Sequence, residues 1–101
     1  MLRTAQKSAL DEAAGLSAEA VQHNAAVNTR VAALRSLIDA EKSLTPVQRE
    51  QLEHELNSRF FYARVKPGDR RSLESVRRVF SERAKNSASD LRARIEALKV
   101  R

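Results

Sequence analysis

The residues most regularly spaced for chemistry in this sequence are cations near its carboxyl end. A lysine or arginine stands there at every seventh position: Arg71, Arg78, Lys85, Arg92 and Lys99. On one straight helix this spacing drifts by only ~20° per heptad, so the cations would form a stripe ~42 Å long. Such a stripe could bind phosphate groups or an acidic helix of another protein. Glu74, four residues before Arg78, also fits the alternative of a solvated face with ordinary helical ion pairs.

Three of the four aromatic residues are consecutive, at Phe60, Phe61 and Tyr62, and basic residues flank them. Aromatic rings among cations can stack on nucleic-acid bases. Consecutive residues on a helix point ~100° apart, however, so the three rings cannot share one surface. We therefore expect Phe60 or Phe61 to pack on Phe80 in the core and the Tyr62 hydroxyl to stay in water. A base-stacking platform and a pocket for a partner or ligand are the alternatives.

The two histidines, His23 and His54, each follow a glutamate by four residues. Either Glu–His pair could share a metal ion on one helix face, but nothing marks the further ligands that a site needs. We therefore expect solvent-facing pairs and no metal site. The chain has no cysteine, no glycine-rich phosphate loop and no serine nucleophile elbow. The sequence predicts a protein that is not an enzyme and uses no cofactor.

Helices must position these residues, because the composition suits no other fold class. The chain has 101 residues, of which 42% are hydrophobic and 4% aromatic, with two glycines and two prolines. Sheets need turn residues and β-branched or aromatic runs, which are scarce here. No apolar run approaches the ~20 residues of a membrane-spanning helix. The net charge of +6 favours an acidic partner: a nucleic acid, an anionic membrane surface or an acidic protein.

A helical extension or tail is predicted over residues 1–16, ahead of one helical domain over residues 17–101. Gly15 lowers helix propensity and marks the break between them. Ser17 is a candidate N-cap for the first long helix, which is expected to run from Ala18 to about Lys42. The apolar seam of this helix has heptad spacing at Val27, Val31, Leu34 and Ile38.

Two polar residues, Asn24 and Thr45, bear on where the core of the first helix ends and where the second helix starts. Asn24 falls on the same heptad seam; it could fix the packing register, but we expect it to lie beyond the end of the core. The second helix is predicted to start at Thr45, which can act as its N-cap. Pro46 suits the first helical position, and Gln48 can complete a capping box with Thr45. Its inward face is marked by Leu52, Leu56 and Phe60, each four residues apart.

A Pro-Gly turn over residues 66–69 precedes the last helix, which is predicted to run from about Ser72 to Val100. Its apolar residues recur with a period of eleven, close to that of a straight helix. Those expected to face inward are Leu73, Val76, Phe80, Leu91, Ile95 and Leu98. The sequence therefore predicts an all-α fold: a three-helix antiparallel bundle with a short N-terminal helical extension and a long C-terminal helix.

The order of these elements resembles the LYR-motif family of small basic mitochondrial proteins, which are three-helix bundles with a phenylalanine in their second half. Arg35 matches the arginine of the motif, and Leu37–Ile38 match the apolar pair behind it. Ala33–Leu34 stand where the family has leucine and tyrosine. Phe61, or less well Phe60, matches the later phenylalanine by its distance from Arg35.

This resemblance, which covers about residues 31–98, implies a subunit or assembly factor of a mitochondrial complex, in the respiratory chain or related to it. It also implies a partner, mitochondrial acyl carrier protein, whose acyl-phosphopantetheine arm enters between the helices. Arg35 would then lie on the surface used by the partner, and Phe61 would line or close the space between helices. Small core side chains would leave room for an acyl chain, and an acidic carrier suits the net charge of +6.

The first eight residues have the Arg/Lys, Ser/Thr and Leu mix of a mitochondrial presequence, which Asp11 and Glu12 then interrupt. We expect a mitochondrial location, with a cytoplasmic one as the alternative. The residues predicted to contact the partner are Arg35, Phe61, Arg71, Arg78, Lys85, Arg92 and Lys99. Two other functions fit the composition: a basic nucleic-acid-binding regulator, for which no reading motif is recognisable, and a bacterial helical chaperone or secretion-system protein.

Overall fold

The computed structural model describes residues 15–99, so all but the last two residues of the predicted N-terminal extension lie outside it. Every regular element within this range is a helix, which confirms the all-α prediction. The elements in chain order are α1 (Ala18–Ala40), α2 (Pro46–Arg59), a 3-10 helix (Phe61–Ala63), α3 (Leu73–Ala84) and α4 (Ser87–Lys99).

Helices α1, α2 and α3 begin where the sequence supplies a side-chain cap. Ser17 and Ser72 each accept a hydrogen bond on Oγ from the backbone N–H three residues on, both at 3.1 Å. Thr45 and Gln48 form the predicted capping box, in which each side-chain oxygen accepts from the other residue's backbone N–H, at 3.1 and 3.0 Å. These bonds satisfy N–H groups that have no partner inside the helix, so they fix where each helix starts.

Helix α1 is the element that the other helices share, because it contacts α2, α3 and α4. Its heptad seam is buried as predicted, at Val27, Val31, Leu34 and Ile38. The side chains that complete this core are Leu44, Leu52, Leu56, Phe60, Ala63, Ile95 and Leu98. Removal of this apolar surface from water is the main force that holds the helices together.

The predicted single helix from Ser72 to Val100 is wrong, because the chain leaves the helical conformation in its middle. Helix α3 ends at Ala84, and α4 begins at Ser87. Between them, Asn86 adopts a left-handed backbone with φ of 61°. The apolar period nevertheless continues across the break. The inward-facing prediction is confirmed for Val76, Ile95 and Leu98, which are buried, and for Phe80 and Leu91, which are half-buried against the core. Leu73 is half-buried.

Arg59, the last residue of α2, stabilises this break. Its Nε donates to the carbonyl of Arg83 at 2.7 Å, and its Nη2 donates to the carbonyl of Lys85 at 3.0 Å. Its Nη1 also donates to the Asp90 carboxylate at 3.0 Å. The last carbonyls of a helix have no partner within it, so a guanidinium that binds the carbonyl of Arg83 in α3 and that of the C-cap Lys85 favours a helix end at this point.

The left-handed backbone at Asn86 leads to a prediction about stability. Asparagine, whose short polar side chain can hydrogen-bond locally, reaches this conformation more readily than alanine, which loses ~1–2 kcal/mol there. We expect Asn86→Ala to lower the free energy of unfolding by ~1 kcal/mol and Asn86→Gly to change it little. Urea unfolding followed by circular dichroism measures both. Undiminished stability of Asn86→Ala would mean that the helix runs through this position in solution.

Candidate functional site

An open cavity of about 210 Å³ lies between α1, α2 and α4. Its apolar wall comes from three helices: Leu34 of α1, Leu52 and Leu56 of α2, and Leu91 of α4. The small side chain of Ser87 completes the lining at the start of α4. We call this feature the leucine cavity. The four leucine side chains offer dispersion contacts to a hydrocarbon chain.

Two ion pairs stand at the rim of the leucine cavity and link α2 to α4. Arg94 binds Glu55 through two parallel hydrogen bonds, each of 3.1 Å. Acceptance of these hydrogen bonds by Glu55, together with the negative charge of its carboxylate, raises the pKa of Arg94 above its ordinary value. Arg59 pairs with Asp90 at 3.0 Å. The lining therefore combines four leucines with four charged side chains, an arrangement suited to an amphipathic ligand.

A second feature is formed by Phe61, Tyr62 and Lys66, which we call the aromatic surface. The side chains of Phe61 and Tyr62 are 52% and 60% exposed, and their rings meet edge to face with centroids 5.0 Å apart. The Lys66 ammonium lies 3.4 Å from the centroid of the Phe61 ring and 4.7 Å from that of Tyr62. These distances are those of a cation–π contact.

The structure separates the two phenylalanines that the sequence left as alternatives. Phe60 is fully buried, and its ring lies 6.1 Å from that of Phe80, so the predicted core contact is confirmed for this residue. The expectation that Phe61 lines or closes the space between helices is wrong. Helix α2 ends at Arg59, and the 3-10 helix that follows carries Phe61 on its outer side.

Arg71 fixes the backbone beneath the aromatic surface. Its Nη1 donates to the carbonyl of Tyr62 at 2.7 Å, and its Nη2 donates to the carbonyl of Arg64 at 3.1 Å. Asp69 accepts from the Nε and Nη2 of the same guanidinium, at 3.0 and 2.8 Å. These hydrogen bonds hold the pKa of the Asp69 carboxyl far below its ordinary value. Arg71, predicted as a partner contact, is thus engaged within its own chain.

The lowered pKa of Asp69 predicts a pH dependence of stability. A carboxyl whose folded-state pKa is depressed stabilises the fold above its unfolded pKa of about 3.9, and this contribution is lost as the pH falls toward the folded value. We expect Asp69→Asn to have a lower free energy of unfolding than the parent at pH 7. This difference between the two proteins should narrow below about pH 4. Urea titrations from neutral to acidic pH measure this gap. A gap that is constant with pH would contradict the assigned role.

Two polar residues of α1 attach the segment 63–65 from the other side. The Nε2 of His23 hydrogen-bonds the carbonyl of Ala63 at 2.7 Å, and its ring lies edge to face on Phe80. Asn24 donates to the carbonyl of Val65 at 2.9 Å and accepts from its N–H at 2.8 Å. The expectations of a solvent-facing His23 and of an Asn24 beyond the core are therefore wrong.

The other predicted contact residues are dispersed. Because α3 ends at Ala84, the prediction of one continuous helix that carries all five cations is wrong: Arg71 precedes α3, and Lys85 lies between α3 and α4. Arg78 pairs with Glu74 on α3, Lys85 caps that helix, Arg92 is exposed on α4, and Lys99 pairs with Glu41 and Glu96.

Arg35, the residue carried by the family resemblance, is half-buried on α1. It lies close to Arg64, which donates to the side chain of Asn28 on the same helix at 2.9 Å. Burial of the Arg64 guanidinium, with a further contribution from the positive charge of Arg35, lowers the pKa of Arg64. The structure therefore places Arg35 in a locally basic environment, and its contact with a partner stays a prediction.

Two further properties concern residues 15–99 alone. No three side chains among their histidines, aspartates and glutamates converge in a way that could hold a metal ion. None of the helices in this part of the chain has both the length and the apolar character needed to cross a membrane.

Comparison of the chain with protein-family models, with characterised proteins and with solved structures found no match.

Proposed function

We propose that this chain is a non-catalytic helical interaction protein that binds an acidic acyl carrier protein. Its role would be that of a subunit or assembly factor of a mitochondrial complex, in the respiratory chain or related to it. The observation that carries the proposal is the leucine cavity between α1, α2 and α4, with its charged rim. In this proposal α3 and α4 together take the place of the third helix of an antiparallel bundle.

The size and lining of the leucine cavity suit an alkyl chain. Its volume of about 210 Å³ is below the ~300–1,000 Å³ of most small-molecule sites, so a narrow chain fits better than a cofactor ring. The leucine side chains of its wall offer dispersion contacts and no hydrogen-bond partner. Each methylene that moves from water into such a wall contributes ~0.8 kcal/mol, so a few of them give measurable affinity.

The charge of the molecule suits the protein that would deliver that chain. The net charge of +6 attracts an acidic surface and speeds its encounter more than it tightens the complex. At the rim, Arg59 and Arg94 present guanidinium groups whose own carboxylate partners are more than one-third exposed. Carboxylates of an incoming carrier can therefore compete for these arginines in water, at little energetic cost.

Calorimetric titration with mitochondrial acyl carrier protein tests the proposal. The carrier is used in two forms, with a free phosphopantetheine thiol and with a medium-length acyl chain on that thiol. We expect the acylated form to bind at least about tenfold more tightly, since burial of two methylenes already supplies the ~1.4 kcal/mol required.

A matched pair of variants tests whether the preference for the acylated carrier depends on the leucine cavity. Leu91 is half-buried at the cavity, so Leu91→Trp fills the space, and we expect the preference for the acylated form to disappear. Val47 is 73% exposed and lines none of this cavity, so Val47→Trp should retain the preference. Failure of the parent protein to bind either carrier, or tighter binding to a random DNA duplex than to the carrier, would refute the proposal.

A further inference from the structure

We propose that the aromatic surface, formed by Phe61, Tyr62 and Lys66, is a second docking site, which takes an acidic peptide segment of a protein partner. This inference is independent of the leucine cavity and of the ligand proposed for it. Exposed aromatic rings are enriched at the centres of protein interfaces, where they supply large contact area with little loss of side-chain freedom.

The aromatic surface lies on the opposite side of α2 from the leucine cavity. Residues of a helix are ~100° apart, so Leu52, Leu56 and Arg59 share one side. The recess next to Phe61 and Tyr62 is lined instead by His54, Asn57 and Ser58, which project from the other side of the same helix. A partner can therefore occupy one feature while the other is filled.

The backbone under these rings is held in place before any partner arrives. Arg71 binds the carbonyls of Tyr62 and Arg64, and Asn24 pairs with both backbone groups of Val65. Arg64 also donates to the carbonyl of Phe60 at 3.3 Å. Because the segment that carries the rings is fixed at these points, little conformational entropy remains to be lost on binding.

The charge around the rings selects an acidic occupant. Lys66 contacts the two rings and has no carboxylate partner within residues 15–99. The recess that continues from Tyr62 through the turn holds Lys66, Arg70 and Arg71 against Asp69 alone, a net charge of +2 (three cations less one anion). A carboxylate of a partner can draw the Lys66 ammonium away from the Phe61 ring and leave the ring face free for an apolar side chain.

The ring geometry favours a peptide over a single-stranded nucleic acid. The two ring planes are 86° apart, so consecutive bases cannot stack in parallel on both of them. Beside the rings, His54, Asn57 and Ser58 offer hydrogen-bonding side chains, which match the polar rim of a protein interface.

Tyr62 makes this surface directly observable. It is the single tyrosine of the chain, which has no tryptophan, so intrinsic fluorescence reports on this site. The probe is a synthetic 14-residue helical peptide of leucine and glutamate without aromatic residues. A second peptide with glutamine in place of each glutamate is the matched neutral probe, and a thymidine 14-mer is the nucleic-acid probe.

We expect the acidic peptide to change Tyr62 fluorescence saturably and to bind at least tenfold more tightly than the neutral peptide. Lys66→Glu and Phe61→Ser should each weaken this binding at least tenfold. Both variants keep Tyr62, so its fluorescence measures the binding in each. Arg92→Glu, which reverses an exposed cation on α4, should have less than a twofold effect. Circular dichroism verifies that all three variants stay folded.

Three outcomes would overturn the inference. The first is an acidic peptide that gives no saturable change in fluorescence. The second is equal binding of the acidic and neutral peptides, or equal weakening by Arg92→Glu and Lys66→Glu, which would indicate general charge attraction. The third is tighter binding of the thymidine 14-mer than of the acidic peptide, which would assign the surface to a nucleic acid.

Discussion

Phe60→Ala should lower the free energy of unfolding by ~3–5 kcal/mol, because the Phe60 side chain is fully buried and its removal leaves a cavity against Phe80. Phe61→Ala removes the same phenyl ring at the next position. It should lower the free energy of unfolding by no more than ~1 kcal/mol, since only a half-exposed ring and a cation–π contact are lost. The two substitutions therefore remove the same side chain from two different environments, one buried and one exposed.

Urea unfolding of the two variants under identical conditions measures this difference. A marginally stable small domain has ~5–15 kcal/mol in total, so Phe60→Ala removes a large share of it and shifts the midpoint strongly. Equal destabilisation by the two substitutions would contradict the structure, because it would mean that both rings lie in the core.

The second large effect is expected at Asn24. Asn24→Ala removes both partners of the Val65 backbone, and an unpaired buried polar group costs ~1–3 kcal/mol. The site is half-buried, so we expect the lower half of this range. The amide proton of Val65 should also exchange faster with solvent, because its acceptor, the Asn24 Oδ1, is gone.

Asn57→Ala is the matched control for Asn24→Ala. Asn57 is exposed on α2, where alanine is the better helix former, so this variant should be as stable as the parent or slightly more stable. Native-state hydrogen exchange of the Val65 amide, measured by NMR, compares all three proteins. Unchanged exchange in Asn24→Ala would show that the pairing is absent in solution.

Local signals in the sequence predicted much of this fold. The N-caps at Ser17 and Thr45 depend on hydrogen bonds across three residues, so their spacing is visible in the chain. The heptad seam of α1 and the eleven-residue period across α3 and α4 reflect burial on one face, which repeats with the helix turn. Both kinds of signal are confirmed in the structure.

The break at Lys85 and Asn86 could not be predicted in this way. It is stabilised by Arg59, whose acceptors lie 24 and 26 residues away, and such long-range contacts leave no local pattern. The apolar period continues across the break, so periodicity alone predicted one long helix. Asn86 was the one local signal, because asparagine tolerates a left-handed backbone better than most residues.

The candidate sites show the same division. The leucines of the cavity wall all belong to predicted apolar positions, but the space left between them depends on how three helices pack. Phe60 continues the inward face of Leu52 and Leu56, so its burial follows from spacing, whereas the exposure of Phe61 accompanies the end of α2 at Arg59. His23 and Asn24 were misassigned because their partners, Ala63 and Val65, lie about forty residues away.

The most direct test of the proposed function is an NMR measurement of where the acyl chain lies. The protein is labelled with carbon-13 on its leucine methyl groups and bound to unlabelled acylated carrier protein, and intermolecular nuclear Overhauser effects from the chain are recorded. We expect contacts from the acyl chain to Leu34, Leu52, Leu56 and Leu91. Formation of the complex with the acyl chain still inside the carrier, or with contacts only to leucines outside the cavity wall, would contradict the proposal that the chain occupies the leucine cavity.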